Sequence, residues 1–306
     1  MTAQTDRTVR RELACTPPFA WQPLFRALAA HAVPGVERAE YDDDGGAWVQ
    51  RLVPAPSGPA LVCIRFGRAD AVEVELTPAP ETPAAQAGRE EAAVLALVAQ
   101  WLDLAADPGV IDRFLSGFEL LAPLVAAAPG LRVPGSVNGF ETAVQTVLGQ
   151  QVSLAAARTF GSRLAAAFGS AGQDGLRAFP SPERLAAVSP PDLQAAVGLT
   201  HSRARTVAAL ADAAASGLVI SGGVDPGATR AALLALPGIG PWTADYLAVR
   251  VFGDRDAYPA DDLVLKRALG VTTGRAAAAL SEPWRPWRAY ALFHLWTGAA
   301  YGAARS

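Results

Sequence analysis

LPGIGPWTADYLAVRVFGDRDAYPADDLVLKRAL, residues 236–269, is the stretch on which the reading of this 306-residue chain turns. Residues 227–235 read as a helix that ends just ahead of it. Gly238 and Gly240 then permit a tight turn with positive φ, and Pro241 suits the first position of a new helix. Two helices joined in this way form a hairpin. A turn without side chains lets its backbone N–H groups approach an anion closely, and the following helix adds its positive N-terminal end. A phosphate is the natural guest, held without reading base sequence. Taken alone, the same residues also describe a plain helix corner closed by glycine.

Two further patterns accompany the turn. Trp242, Tyr246 and Val249 lie at i, i+4 and i+7 along the second helix, and Trp296 sits in a later helix with Tyr290 and Phe293. Four of the seven tryptophans fall between residues 242 and 296, a density that serves either a packed core or stacking on nucleobases, the latter worth ~1–3 kcal/mol per base. Asp261-Asp262 stands about twenty residues beyond the turn, just before the apolar Leu263-Val264-Leu265. By position alone the pair is an N-cap and a first-turn acid.

The joint pattern resembles the helix–hairpin–helix DNA glycosylase superfamily, and within it the bacterial alkylation-repair branch, 3-methyladenine DNA glycosylase II. The likeness extends to PGLRVPGSVNGFETAVQTVLGQQVS (129–153), RPWRAYALFHLW (285–296) and TPPFAW (16–21), and covers roughly residues 14–302. The resemblance implies that the base leaves the helical stack before cleavage. It places Asp262 as the catalytic aspartate, with Asp261 as cap or neighbour. Trp242, Tyr246 and Trp296 become walls of the base pocket. Gly238, Gly240 and Thr243 become the phosphate-binding hairpin, where the family often holds a monovalent cation on backbone carbonyls, here near Leu236 and Ile239. No other metal and no cofactor is expected. Gln150 and Gln151 fall on the loop that fills the gap left by the flipped nucleotide. Some members carry an apolar wedge there; Gln151 can fill the space and hydrogen-bond the orphaned base.

The chemistry that the resemblance implies follows from charge. An alkylated purine such as 3-methyladenine or 7-methylguanine is cationic, stacks well on electron-rich aromatic faces and is already a good leaving group. The remaining demand is an ionised carboxylate that stabilises an oxocarbenium-like sugar and orients a water. Lyase-active relatives carry a Schiff-base lysine just after the hairpin. Trp242 occupies that slot here, and Lys266 is the only lysine in the chain. A monofunctional glycosylase acting on damaged double-stranded DNA is therefore expected, working as a monomer with no obligate protein partner. The alternative is a non-catalytic helix–hairpin–helix module that binds DNA or senses damage; it would need the glycines but neither the acid nor the aromatic pocket.

Composition bounds these readings. Hydrophobic residues make up 51% and charged residues 18%, enough for a large core and for two or three domains. Two cysteines, Cys15 and Cys63, exclude a disulfide framework, a four-cysteine zinc site and a cysteine-ligated iron–sulfur cluster; His31, His201 and His294 are too scattered for a histidine-rich metal centre. The N-terminus lacks an apolar signal core and no apolar run is long enough to span a membrane, so a cytoplasmic protein is expected. The net charge of −3 divides unevenly: residues 1–125 carry −7 and residues 126–306 carry +4, so a polyanion would meet the second part.

The fold class expected is α+β: a small N-terminal antiparallel sheet with helices, then two mostly helical domains that contain the helix–hairpin–helix. Residues 1–13 read as a loose tail. Residues 14–125 read as the α+β domain, with strands at 47–53, 60–66 and 71–76 in an antiparallel meander. The resemblance makes this domain TATA-binding-protein-like. An alanine-rich helical domain is expected over 126–258, with the helix–hairpin–helix at about 227–252, and a C-terminal helical domain over 259–306.

Overall fold

The structure, a computed structural model, describes residues 7–299. Five strands form one antiparallel sheet: β1 (Val9–Ala14), β2 (Glu37–Tyr41), β3 (Ala47–Val53), β4 (Ala60–Phe66) and β5 (Ala71–Thr77), in the order β1-β5-β4-β3-β2. Alternation sets its two faces. Val49, Val62, Ile64, Val72 and Val74 are buried beneath α1 (Trp21–His31) and α2 (Ala84–Trp101), while Arg65 and Glu73 face out. The three central strands lie where alternation puts them. The two edges do not announce themselves. Within the stretch expected to be a loose tail, Val9–Ala14 is a strand paired with β5 from Val9↔Leu76 to Ala14↔Ala71. Its Arg10-Arg11-Glu12 core is polar because an edge strand faces water and charge discourages further pairing. β2, ERAEY, is polar for the same reason.

Alanine-rich helices follow. α3 (Pro108–Leu115) and α4 (Ala122–Ala127) lead into α5 (Gly139–Leu148) and α6 (Leu154–Phe168). A short ribbon, β6 (Ser170–Ala171) with β7 (Arg177–Ala178), precedes α7 (Pro182–Ala186), α8 (Pro190–Val197) and α9 (His201–Ala215). The chain ends in α10 (Pro226–Leu234), α11 (Pro241–Arg250), α12 (Leu263–Ala268), α13 (Gly274–Ser281) and α14 (Arg288–Ala299). The starts are written in sequence: Asn138, Ser153, Ser181, Ser189, Thr200 and Asp225 each cap the helix that follows with a side-chain oxygen.

Three cores result. One lies under the sheet. The second joins α5, α6, α8, α9, α10 and α11 around Val144, Leu164, Val207 and Leu247. The third unites distant parts of the chain: Ile111, Leu115, Leu121 and Val125 pack with Trp284, Tyr290, Leu292 and Trp296. The boundary expected near residue 125 therefore crosses packed structure, because the apolar faces of α3 and α4 are covered by α14 and not by the sheet. Arg132, 1% exposed, ties the parts together by donating to the carbonyls of Gly130 and Thr16. Among the described residues no helix is long and apolar enough to cross a membrane.

Candidate active site

Asp262 is the residue on which the site converges. It is the N-cap of α12, its Oδ1 accepting the Leu265 N–H at 2.8 Å, and it is 9% exposed. Of the two places expected for Asp261, cap or neighbour, it takes the second. The capping oxygen belongs to the residue three positions before the N–H it accepts, which is Asp262. Asp261 points outward, with its side chain 70% exposed and 3.8 Å from Lys266 Nζ. The Asp262 carboxylate also receives two indole donors. Trp296 Nε1 donates to Oδ1 at 3.0 Å and Trp242 Nε1 donates to Oδ2 at 3.1 Å. Three N–H groups from three segments thus fix one carboxylate in position and orientation.

The tryptophans that hold the acid also build an aromatic wall. Trp242 stacks on Tyr246 with ring centroids 5.5 Å apart and planes at 25°, and Tyr246 meets Trp296 at 6.0 Å and 42°. Val249, third in the helical stripe, points away into the core. The stripe therefore divides between cavity and core. Arg250 closes the wall from behind: its Nη1 donates to Tyr246 Oη at 2.8 Å, its Nε to the Pro134 carbonyl at 2.7 Å, and its guanidinium lies over the Tyr246 ring.

These groups line a cavity of about 470 Å³. Trp242, Tyr246, Trp296 and Asp262 form one side, α5 contributes Glu141, Gln145 and Thr146, and the sheet domain contributes Leu28, His31 and Arg51. Arg51 donates from Nη2 to both oxygens of Glu141, at 2.7 and 2.9 Å, and from Nη1 to Glu37. Burial pushes the Glu37 carboxyl up, with Arg51 opposing the shift. His31 is pushed down to about 3, first by burial and then by the nearby Arg250 and Arg158, so its ring is neutral. His31, Arg51, Glu141 and Arg250 were not legible as cavity residues, since their partners lie far along the chain. Among the described residues no group of three or more His, Cys, Asp or Glu side chains is arranged to hold a metal ion.

The hairpin lies between α10 and α11. Gly238 has φ +79°, and a Cβ there would fall 2.1 Å from Thr206 Oγ1, so the fold itself requires glycine. Gly240 is different: its φ is −103°, and a Cβ would meet nothing within 4 Å. Nothing inside the protein demands glycine at 240. Gln150 Nε2 donates to the Gly238 carbonyl and to Thr243 Oγ1, both at 3.0 Å, so the side chains of Gln150 and of the buried Thr243 turn inward to each other. Gln151 is exposed and adopts φ +55°. The Leu236 carbonyl accepts the Ile239 N–H at 3.3 Å.

A sheet domain, a glycine hairpin and an aromatic cavity around one buried aspartate define a helix–hairpin–helix base excision protein. The chain belongs to the HhH-GPD superfamily of base excision DNA repair proteins, whose family model matches residues 144–278, and the AlkA N-terminal domain matches residues 10–138. It is 40% identical over 303 residues to the probable bifunctional transcriptional activator/DNA repair enzyme AlkA of Mycobacterium tuberculosis (strain H37Rv), covering 95% of this chain and 57% of that protein. The chain thus spans little more than half the length of the mycobacterial relative. It is 33% identical over 285 residues to DNA-3-methyladenine glycosylase 2 of Escherichia coli (strain K12), covering 92% of this chain and 94% of the relative. The fold also matches the solved 3-methyladenine DNA glycosylase from Archaeoglobus fulgidus, with TM-score 0.80, 19% identity and coverage of 96% and 100% of the two chains.

Proposed function

We propose that this chain is a monofunctional DNA glycosylase that releases alkylated purines of the 3-methyladenine and 7-methylguanine type from double-stranded DNA. The observation that carries this reading is Asp262, a buried carboxylate held by two indole N–H groups on the wall of an aromatic cavity. A base extruded from the duplex enters beside Trp242, Tyr246 and Trp296. Its positive charge favours the faces of those rings. As the N-glycosidic bond breaks, the bonding electrons leave with the base and positive charge grows on the sugar. The fixed carboxylate stabilises that charge without reorganising. A water adds at the sugar carbon and passes its proton to Asp262.

The hairpin anchors the duplex. Gly240, whose glycine serves no internal need, leaves room for a phosphate against the N-terminal end of α11. Thr243 contributes its backbone N–H, since its hydroxyl is engaged by Gln150. The Leu236 carbonyl carries one long N–H contact and keeps a lone pair, so it and the Ile239 carbonyl suit a monovalent cation that would add positive charge beside that phosphate. Gln151, exposed in the loop between α5 and α6, reaches into the vacated stack. Trp242 stands where a Schiff-base lysine would have to be, and Lys266, whose Nζ lies 3.8 Å from Asp261, is not among the residues that line the cavity, so strand cleavage is not part of the reaction.

The test is release of methylated purine from a defined alkylated duplex by the purified protein, with Asp262→Asn as the comparison. The wild type is expected to release base. The variant is expected to bind the duplex as tightly and to lose release by about 100-fold or more. Retained excision by the variant would overturn the assignment of Asp262, and a borohydride-trapped covalent adduct would overturn the absence of lyase chemistry.

A further inference from the structure

Gln150 is tied into the protein through its side-chain amide nitrogen and its backbone carbonyl. Its Nε2 bridges the Gly238 carbonyl and Thr243 Oγ1, both at 3.0 Å, and its own carbonyl accepts Arg203 Nη2 at 2.5 Å. Arg203 in turn packs its guanidinium over Phe160 of α6. Arg203 and Thr206 lie three residues apart on α9, so they share one face. Thr206 fills the hollow under Gly238, where a Cβ would come within 2.1 Å of its hydroxyl. One face of α9 therefore holds both the hairpin and the loop between α5 and α6.

That loop is short and pinned at both ends. Gln150 fixes its start, and Ser153 fixes its finish by accepting the Ala156 N–H at 3.2 Å. Gln151 sits between the two pins at φ +55°, a conformation that a non-glycine residue adopts only where its surroundings impose it. Its side chain is exposed.

We propose that Gln150 and Arg203 are positioning residues that hold Gln151 at a fixed reach from the Gly238–Gly240 turn, so that a duplex whose phosphate is seated on the turn receives the Gln151 side chain in register with the nucleotide to be extruded. The proposal rests on the glycosylase reading and deepens it. Phosphate anchoring and gap filling then act as one rigid unit, and the acid in the cavity acts on whatever that unit extrudes. Arg203 does this through the Gln150 carbonyl, and Gln150 through the hairpin.

The experiment uses a duplex with a stable abasic analogue flanked by 2-aminopurine, whose fluorescence rises when its neighbours unstack, together with single-turnover base release from an alkylated duplex. Gln150→Ala is expected to keep duplex affinity within about threefold while unstacking amplitude and release rate fall together by about tenfold. The double variant Gln150→Ala/Gln151→Ala is expected to be no worse than Gln151→Ala alone, because both act through one side chain. Unchanged unstacking in Gln150→Ala, a fall in release without a fall in unstacking, or multiplicative effects in the double variant would each overturn the proposal. Where Gln150→Ala does not fold, Arg203→Lys supplies the same readings, because a single ammonium does not reproduce the guanidinium's combined hold on the carbonyl and the Phe160 ring. A wild type that unstacks the analogue duplex but releases no alkylated base would defeat the glycosylase reading and leave the positioning role measurable.

Discussion

Trp296 Nε1 and Asp262 Oδ1 lie 3.0 Å apart, although 34 positions separate them in sequence. The same oxygen accepts the Leu265 N–H, while Oδ2 accepts Trp242 Nε1. The indole of Trp296 thus has two separable properties, a ring face toward the cavity and an N–H toward the acid. Trp296→Phe retains an aromatic wall and removes the donor. A hydrogen bond to a charged group contributes about 1.5–3 kcal/mol, so base release should slow tenfold or more while duplex affinity stays nearly constant. Single-turnover release beside equilibrium binding checks this; an unchanged rate would show that the N–H does not help to hold the acid.

The two hairpin glycines should fail in different ways. Gly238→Ala places a methyl against Thr206 and keeps a left-handed φ, which together should cost about 2–4 kcal/mol of stability. Gly240→Ala enters open space at an ordinary φ and should leave the melting temperature almost unchanged. Its methyl would instead stand where a phosphate approaches, so duplex affinity should fall by about tenfold or more. Thermal melts and binding titrations of both variants separate the outcomes.

Gln151→Gly should raise stability and lower activity at once. Glycine relieves the left-handed φ, a gain of about 1 kcal/mol, and on the proposed reading it removes the side chain that fills the stack. A variant that melts higher and releases base more slowly fits this account. One that melts lower would mean that the Gln151 backbone is not strained.

Stability should fall with acid, and a buried histidine should carry part of the fall. His294 on α14 is 2% exposed, and burial pushes its ring down to about 4 from an ordinary 6.5, with a hydrogen bond to the Leu124 backbone opposing the shift. Below pH 6.5 the unfolded chain takes up this proton before the folded one does. The contribution is therefore complete above about 6.5 and is lost on the way down toward 4, and the loss amounts to about 2 kcal/mol at pH 5. His31, held near 3, acts with the same sign. Urea unfolding at pH 7 and pH 5 should show a smaller difference in His294→Leu than in the wild type; equal differences would exclude this histidine.

The site was more legible than its surroundings. The glycine turn, the aromatic stripe and the acid pair announce themselves because they lie within one short stretch, and Trp242 and Asp262 do meet in space. Sequence left the cap ambiguous by one position, since either acid could precede an apolar helix. It gave no sign that Arg51 and Glu141, 90 residues apart, form an ion pair on the far wall of the cavity. Charged pairs of that kind carry no periodicity. The edge strands β1 and β2 escaped for a related reason: a strand that faces water on an open edge lacks the apolar alternation by which the central strands were found. α3 and α4 were unreadable as part of the third core because the surface that covers them is supplied by α14.

Asp262 begins a helix with the same oxygen that Trp296 holds. The carboxylate is therefore locked into its rotamer by folding, before any ligand arrives. Any residue substituted at this position must also be short enough, and oxygen-bearing, to start α12. Glutamate retains the charge but not the reach, and alanine retains neither. On the proposed reading, the route to altered selectivity runs through the opposite wall, where Leu28 of the sheet domain has no part in the hydrogen bonds that hold the acid.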